Sequence, residues 1–148
     1  MRRIQIAAIA LNQTPLAWTK NRDNIIAALG EAREGGAQVV CFPELAVTGY
    51  GCEDAFFGSE VIARAEKSLL EILPYTSGML VVIGLPAVYN AAIYNTAAVI
   101  SNTNILGFVA KQHLCGDGIH YEPRWFKPWK SGEVAELSFG GESYPLGD

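Results

Sequence analysis

The chain has 148 residues, half of them hydrophobic and 18% charged, a length and balance that suit one packed domain and exclude a disordered polypeptide. Net charge is −4, from 11 basic and 15 acidic side chains, so the basic surplus of a nucleic-acid binder is missing. No apolar run reaches the roughly 18 residues that span a bilayer, and three cysteines without C-x-x-C spacing speak against a disulfide framework and for a reducing, cytoplasmic setting.

Met1-Arg2-Arg3 ahead of an apolar stretch imitates a secretory leader. Gln5 interrupts that stretch, and no small-residue cleavage site follows it, so residues 4–11 read as a first buried strand. Pro15 ends it. From Trp18 to Arg33 the apolar period becomes helical, with Trp18, Ile25, Ala28, Leu29 and Ala32 on one stripe. Gly35-Gly36 supply the stop, since glycine accepts the left-handed conformation past a helix end. Residues 38–42 form a second short buried strand, which makes Cys41 a core residue and the whole a parallel strand–helix–strand unit.

Residues 43–51 form a loop leaving the carboxyl end of that strand. A second helix is expected from about Asp54 to Leu73, with Gly58 as its point of interruption and Val61, Ala65, Leu69, Ile72 and Leu73 as its apolar face. Strands follow at 79–89 and 93–101, and Asn102-Thr103-Asn104 is a tight turn into a third at 105–111. Residues 113–129 are rich in glycine, proline and aromatics and read as loop. The pattern implies an α/β layered fold with a mixed sheet.

Glu44 stands at the carboxyl end of a parallel strand, the edge where ligands gather in open α/β sheets. Phe42, Pro43 and Leu45 around it predict a partly desolvated carboxylate suited to general-base work. An exposed loop glutamate or a helix-capping partner is the competing reading. Lys111 emerges from the uncharged run Gly107-Phe108-Val109-Ala110, where an ammonium can face an oxyanion, or can simply cap a strand end in solvent. His113, Cys115, Asp117 and His120 are metal-capable residues, but their spacing matches no zinc or calcium pattern, and an ordinary polar loop is the alternative. No glycine-rich phosphate loop and no G-x-S-x-G elbow is present. The aromatic group Tyr121, Trp125, Phe126 and Trp129 either lines a pocket, with Arg124 and Lys127 recruiting carboxylates, or packs as a lid or subunit contact.

Read in order, these segments resemble the nitrilase, or carbon–nitrogen hydrolase, superfamily. The resemblance rests on Phe42-Pro43-Glu44-Leu45 with residues 48–54, on Gly84-Leu85-Pro86, on residues 94–100, and on the position of Lys111. Within it, Ala10-Leu11-Asn12-Gln13 and the run 121–129 are similar to the glutaminase domain of glutamine-dependent NAD synthetases. The resemblance implies a four-layer αββα sandwich, of which residues 1–148 would be the N-terminal part, with the synthetase domain absent. It implies Glu44 as general base, Lys111 as oxyanion stabiliser and Glu122 as a second glutamate supporting the lysine, with Tyr121, Arg124 and Trp125 as substrate-pocket residues. The substrate would be glutamine. Hydrolysis would need no cofactor or metal, and ATP with Mg would serve only the synthetase domain. The family's nucleophilic cysteine follows the lysine by several tens of residues, so none of Cys41, Cys52 and Cys115 matches it, and the chain alone is expected to be inactive.

Two alternatives remain at this stage: a free-standing amidase or nitrilase, and a nucleophile-free binding or dimerisation module. Strands of the sandwich missing from this stretch would leave apolar sheet faces exposed, which favours homo-oligomers.

Overall fold

The computed structural model describes residues 3–118 and 121–148; Met1, Arg2 and His120, on which sequence readings fell, lie outside them. Seven strands form one sheet: β1 (Ile6–Ala8), β2 (Val39–Cys41), β3 (Leu80–Tyr89), β4 (Ala92–Ser101), β5 (Asn104–Ala110), β6 (Ala135–Phe139) and β7 (Glu142–Gly147). Their spatial order is β1-β2-β3-β4-β5-β7-β6. The β1–β2, β2–β3 and β5–β7 pairs are parallel and the other three antiparallel, so the sheet is mixed, as expected. Two helices, α1 (Trp18–Glu34) and α2 (Ser59–Ile72), pack on one face of it. No helix among the described residues is long and apolar enough to cross a membrane.

Pattern and structure agree where the period is strong. Helix α1 buries Ile25, Ala28, Leu29 and Ala32, and Gly36, at φ 78°, takes the left-handed position beyond it. A 3₁₀ turn (Glu53–Phe57) precedes α2, so the expected second helix does break at Gly58. Asn102 and Thr103 both have positive φ, as do Asn90 and Ala91, giving the tight turns that twisted antiparallel strands favour.

The ends of the sheet differ from the sequence reading. β1 hydrogen-bonds only to β2 and is three residues long, and Ile4 and Ile6 are each 67% exposed. Cys41 is exposed too, so it is not a core residue. The reason is geometric. Alternation sends Ala7, Val40 and Val81 toward the helices, whereas Ile6, Val39 and Leu80 share a row on the opposite face, which neither α1 nor α2 covers. Leu106 and Val109 are exposed on that face as well. A run of apolar residues marks a strand without saying that both faces are covered. The β6–β7 hairpin was not anticipated. Its turn is held by α2, with Gly140 N donating to Glu66 at 2.7 Å.

One close approach decides what lies on the helix-free face. A Cβ at Gly84 in β3 would sit 2.4 Å from Leu45 N and 2.7 Å from Pro43 O, both backbone atoms. Only the missing side chain lets residues 43–45 lie against the sheet, where Val47 N also reaches Gly84 O at 3.2 Å. Gly84→Ala is therefore expected to destabilise the chain by about 1–3 kcal/mol in urea denaturation, the usual cost of overpacking. Gly30→Ala, in the body of α1 with no atom within 4 Å of the added carbon, is expected to stabilise by up to about 1 kcal/mol.

Candidate functional site

Glu44 follows β2, and the chain turns sharply after it. Leu45, fully buried, has φ 51°, a left-handed conformation that persists only where the surroundings over-determine it. Here they do. Gln13 Nε2 donates to Ala46 O at 2.9 Å, Leu16 N to Thr48 O at 2.8 Å and Gly49 N to Leu45 O at 2.8 Å. Gly49, at φ 81°, packs its Cα against Pro15 so closely that a Cβ would meet backbone at 2.9 Å. The loop carrying Glu44 is thus clamped between the segment after β1 and the sheet.

Lys111 follows β5. Its backbone N donates to Asn95 O at 2.9 Å, which continues the β4–β5 ladder by one residue. In this ladder Asn95 pairs with Pro86 and Ala97 with Gly84, so Asn95 points to the helix-free face beside the Glu44 loop. Lys111 Nζ donates to Glu44 Oε1 at 2.7 Å and lies 2.9 Å from Glu122 Oε2 and 3.0 Å from Glu122 Oε1. Asn95 Nδ2 donates to the same Glu44 Oε1 at 2.5 Å. The structure thus brings Glu44, Lys111 and Glu122 together, across 67 residues of sequence between the first two.

Glu122 opens a 3₁₀ turn (Glu122–Arg124) and is 1% exposed. Burial alone would push its carboxyl up. Hydrogen bonds from Cys115 N at 2.7 Å, Lys111 Nζ and Tyr50 Oη at 2.9 Å outweigh that and hold it below its ordinary value. Lys111 shows the mirror balance: burial works against its charge, and the bonds to Glu44 and Glu122 win, so its ammonium is held above its ordinary value. The Tyr50 hydroxyl is pushed well up by burial and by the Glu122 carboxylate, and so remains a proton donor. The site is a fixed ammonium between two carboxylates, one buried and one at a 38% exposed side chain. Glu44 is thus less desolvated than its apolar neighbours in sequence suggested, because Phe42 and Leu45 point into the two cores instead.

The aromatic run splits. Phe126 packs on Phe56 with ring centroids 4.8 Å apart, and Trp129 packs on Tyr94 at 5.2 Å; both are core residues. Arg124 and Trp125 border a groove of about 610 Å³ with Phe57, Ile62 and Val88. The Arg124 fork is already engaged by Asp54, with two bonds of 2.7 Å, and Trp125 Nε1 donates to Asp54 at 2.9 Å. Tyr121 is exposed. His113, Cys115 and Asp117 are exposed, and among the described residues no group of three or more potential ligands could hold a metal. Cys52 is buried, its thiol directed at Thr48 O and Gly49 O and pushed up by burial. No hydrogen bond joins any of the three thiols to Glu44 or Lys111 among the described residues.

Sequence reasoning passed over Asn95 and the hydroxyl of Tyr50. For Asn95 a signal existed: Asn95-Thr96 is a polar pair within an apolar strand, and both are buried. A buried amide in such a place needs a partner.

A family model described as carbon-nitrogen hydrolase matches residues 5–147. The chain is 38% identical over 138 residues to a glutamine-dependent NAD(+) synthetase of Arabidopsis thaliana, covering 92% of the chain and 19% of that protein. A glutamine-dependent NAD(+) synthetase from Cytophaga hutchinsonii superposes with a TM-score of 0.95 at 38% identity, over 98% of this chain and 25% of that one. An amidase mutant from Nesterenkonia sp. AN1, showing Michael addition of acrylamide at the active site cysteine, gives a TM-score of 0.74 at 26% identity, over 98% of this chain and 57% of that one. The chain spans about a fifth of the length of the curated relatives it matches.

The charges of the site set a pH dependence. Glu122, held low, contributes stability present in full above about pH 4.5 and lost as pH falls through its value in the fold. Lys111, held high, contributes stability present in full below about pH 10.5 and lost as pH rises through its own raised value. In Glu122→Gln the acid-side fall of the urea midpoint is expected to be shallower than in the wild type. Superimposable acid limbs would remove Glu122 as its source.

Proposed function

The chain belongs to the carbon–nitrogen hydrolase family, and from that membership we propose that residues 1–148 carry the base and the oxyanion-stabilising cation of a glutamine amidohydrolase. The observation that supports this most directly is Lys111 Nζ bridging Glu44 and Glu122 on the helix-free face of the sheet. Glu44 takes the proton from an attacking thiol and later gives it to the departing ammonia. Lys111 faces the oxygen that becomes negative in the tetrahedral intermediate, and Glu122 holds that ammonium in place and charged. Water then cleaves the thioester, with Glu44 again as base, releasing glutamate.

The reacting thiol is none of Cys41, Cys52 and Cys115. Cys52 is buried and pushed toward the neutral form; Cys41, at the end of the interior strand β2, turns its thiol toward Phe42 O; and Cys115, in the loop after β5, makes no thiol hydrogen bond to Glu44 or Lys111 among the described residues. The Cytophaga hutchinsonii NAD synthetase matches more closely in both sequence and shape than the amidase, which favours glutamine as the amide and ATP-dependent amidation of deamido-NAD as the use of the ammonia. In this reading hydrolysis needs no cofactor, and ATP with magnesium would serve only the later amidation step; the sequence of residues 1–148 carries no phosphate-cradling glycine loop.

In the protein as its gene encodes it, Glu44→Gln and Lys111→Met are each expected to cut glutamate release from glutamine at least about 100-fold with an unchanged circular dichroism spectrum. Full activity in folded Glu44→Gln would refute the reading. Abolition of release by Cys115→Ser would overturn the exclusion of these three thiols.

A further inference from the structure

Asn95 touches both halves of the site, Glu44 and Lys111. Its backbone oxygen accepts from Lys111 N at 2.9 Å, and its side-chain amide donates to Glu44 Oε1 at 2.5 Å. It is 4% exposed, in the middle of a ten-residue strand paired on both sides, so its position is rigid. The amide nitrogen, not its oxygen, must face the carboxylate, because a carboxylate only accepts.

The arrangement makes the two oxygens of Glu44 unequal. Oε1 accepts from Lys111 Nζ at 2.7 Å and from Asn95 Nδ2, whereas Oε2 accepts from no group among the described residues. Two donors, one of them cationic, draw charge onto Oε1 and stabilise it there. The proton therefore goes to the other oxygen. We propose that Asn95 is the positioning residue of this site: by fastening Oε1 it leaves Oε2 as the basic atom and fixes the direction in which Glu44 receives and returns the proton. In the step concerned the S–H bond of the attacking thiol breaks, its electron pair stays on sulfur, and the O–H bond forms at Oε2. This rests on the hydrolase reading above and adds to it the atom that acts and the residue that selects it.

Without the Asn95 amide, Glu44 is held by the lysine alone and can rotate, so the reacting oxygen is misplaced while the substrate's own contacts are untouched. In Asn95→Leu, similar in volume and suited to a strand, kcat for glutamine hydrolysis is expected to fall about 10- to 100-fold, with KM within about threefold of wild type. A kcat that holds, or a loss confined to KM, overturns the proposal. A second measurement needs neither activity nor a foldable Asn95 variant. In the 148-residue chain, the assigned side-chain amide protons of Asn95 are expected to move upfield in proton–nitrogen NMR spectra of Glu44→Gln, because a neutral acceptor replaces an anion. Identical resonances in the two proteins overturn the contact and the proposal with it. Wild-type hydrolysis in Glu44→Gln would instead overturn the hydrolase reading, whatever the NMR result, so the two failures are distinct.

Discussion

An ammonium held between two carboxylates, one of them almost wholly removed from water, is the interaction that constrains this structure most. A buried charge without partners is among the costliest features a fold can carry. Glu122 is tolerable only because Lys111, Tyr50 and Cys115 N all reach it. These partners come from the end of β5, from the loop after β2 and from the long loop that follows β5. Each of those segments must arrive at a set distance, and much of the local backbone serves that requirement.

The sheet divides its two faces between stability and chemistry. On one face Val40, Val81, Ile83, Ile100 and Phe108 meet the helices and form the main core. On the other, Gly84 gives room for the Glu44 loop, and Asn95 in the neighbouring strand offers the amide that receives it. Polar residues on that second face cost little where they satisfy one another. The helix-side core supplies the rigidity that keeps them aligned.

The aromatic residues after Lys111 act as anchors for the charged turn. Phe126 enters a small second core with Leu45, Cys52 and Phe56, and Trp129 enters the main one with Tyr89 and Tyr94. Between them and Lys111, Glu122 has little freedom to leave its place. Asp54, gripping Arg124 and Trp125, joins the loop after β2 to the same segment. The aromatic run therefore bears on the site mainly by fixing where Glu122 stands.

By itself the sequence determined the helices, the three long strands and the turn at Asn102-Thr103, and it singled out Glu44 and Lys111 as candidates, while Glu122 entered only through the family resemblance. Those features are written in local period, in turn chemistry and in short motifs. Tertiary structure alone decided that Ile4, Ile6 and Cys41 face outward, because period-two alternation says which residues share a face and not whether anything covers it. It decided the β6–β7 hairpin, whose glycine turn depends on contact with α2. It also decided that Glu44 and Lys111, 67 positions apart, share Asn95 as a partner. That juxtaposition depends on strand register and on the empty space above Gly84, which are properties of the assembled sheet and of no segment alone.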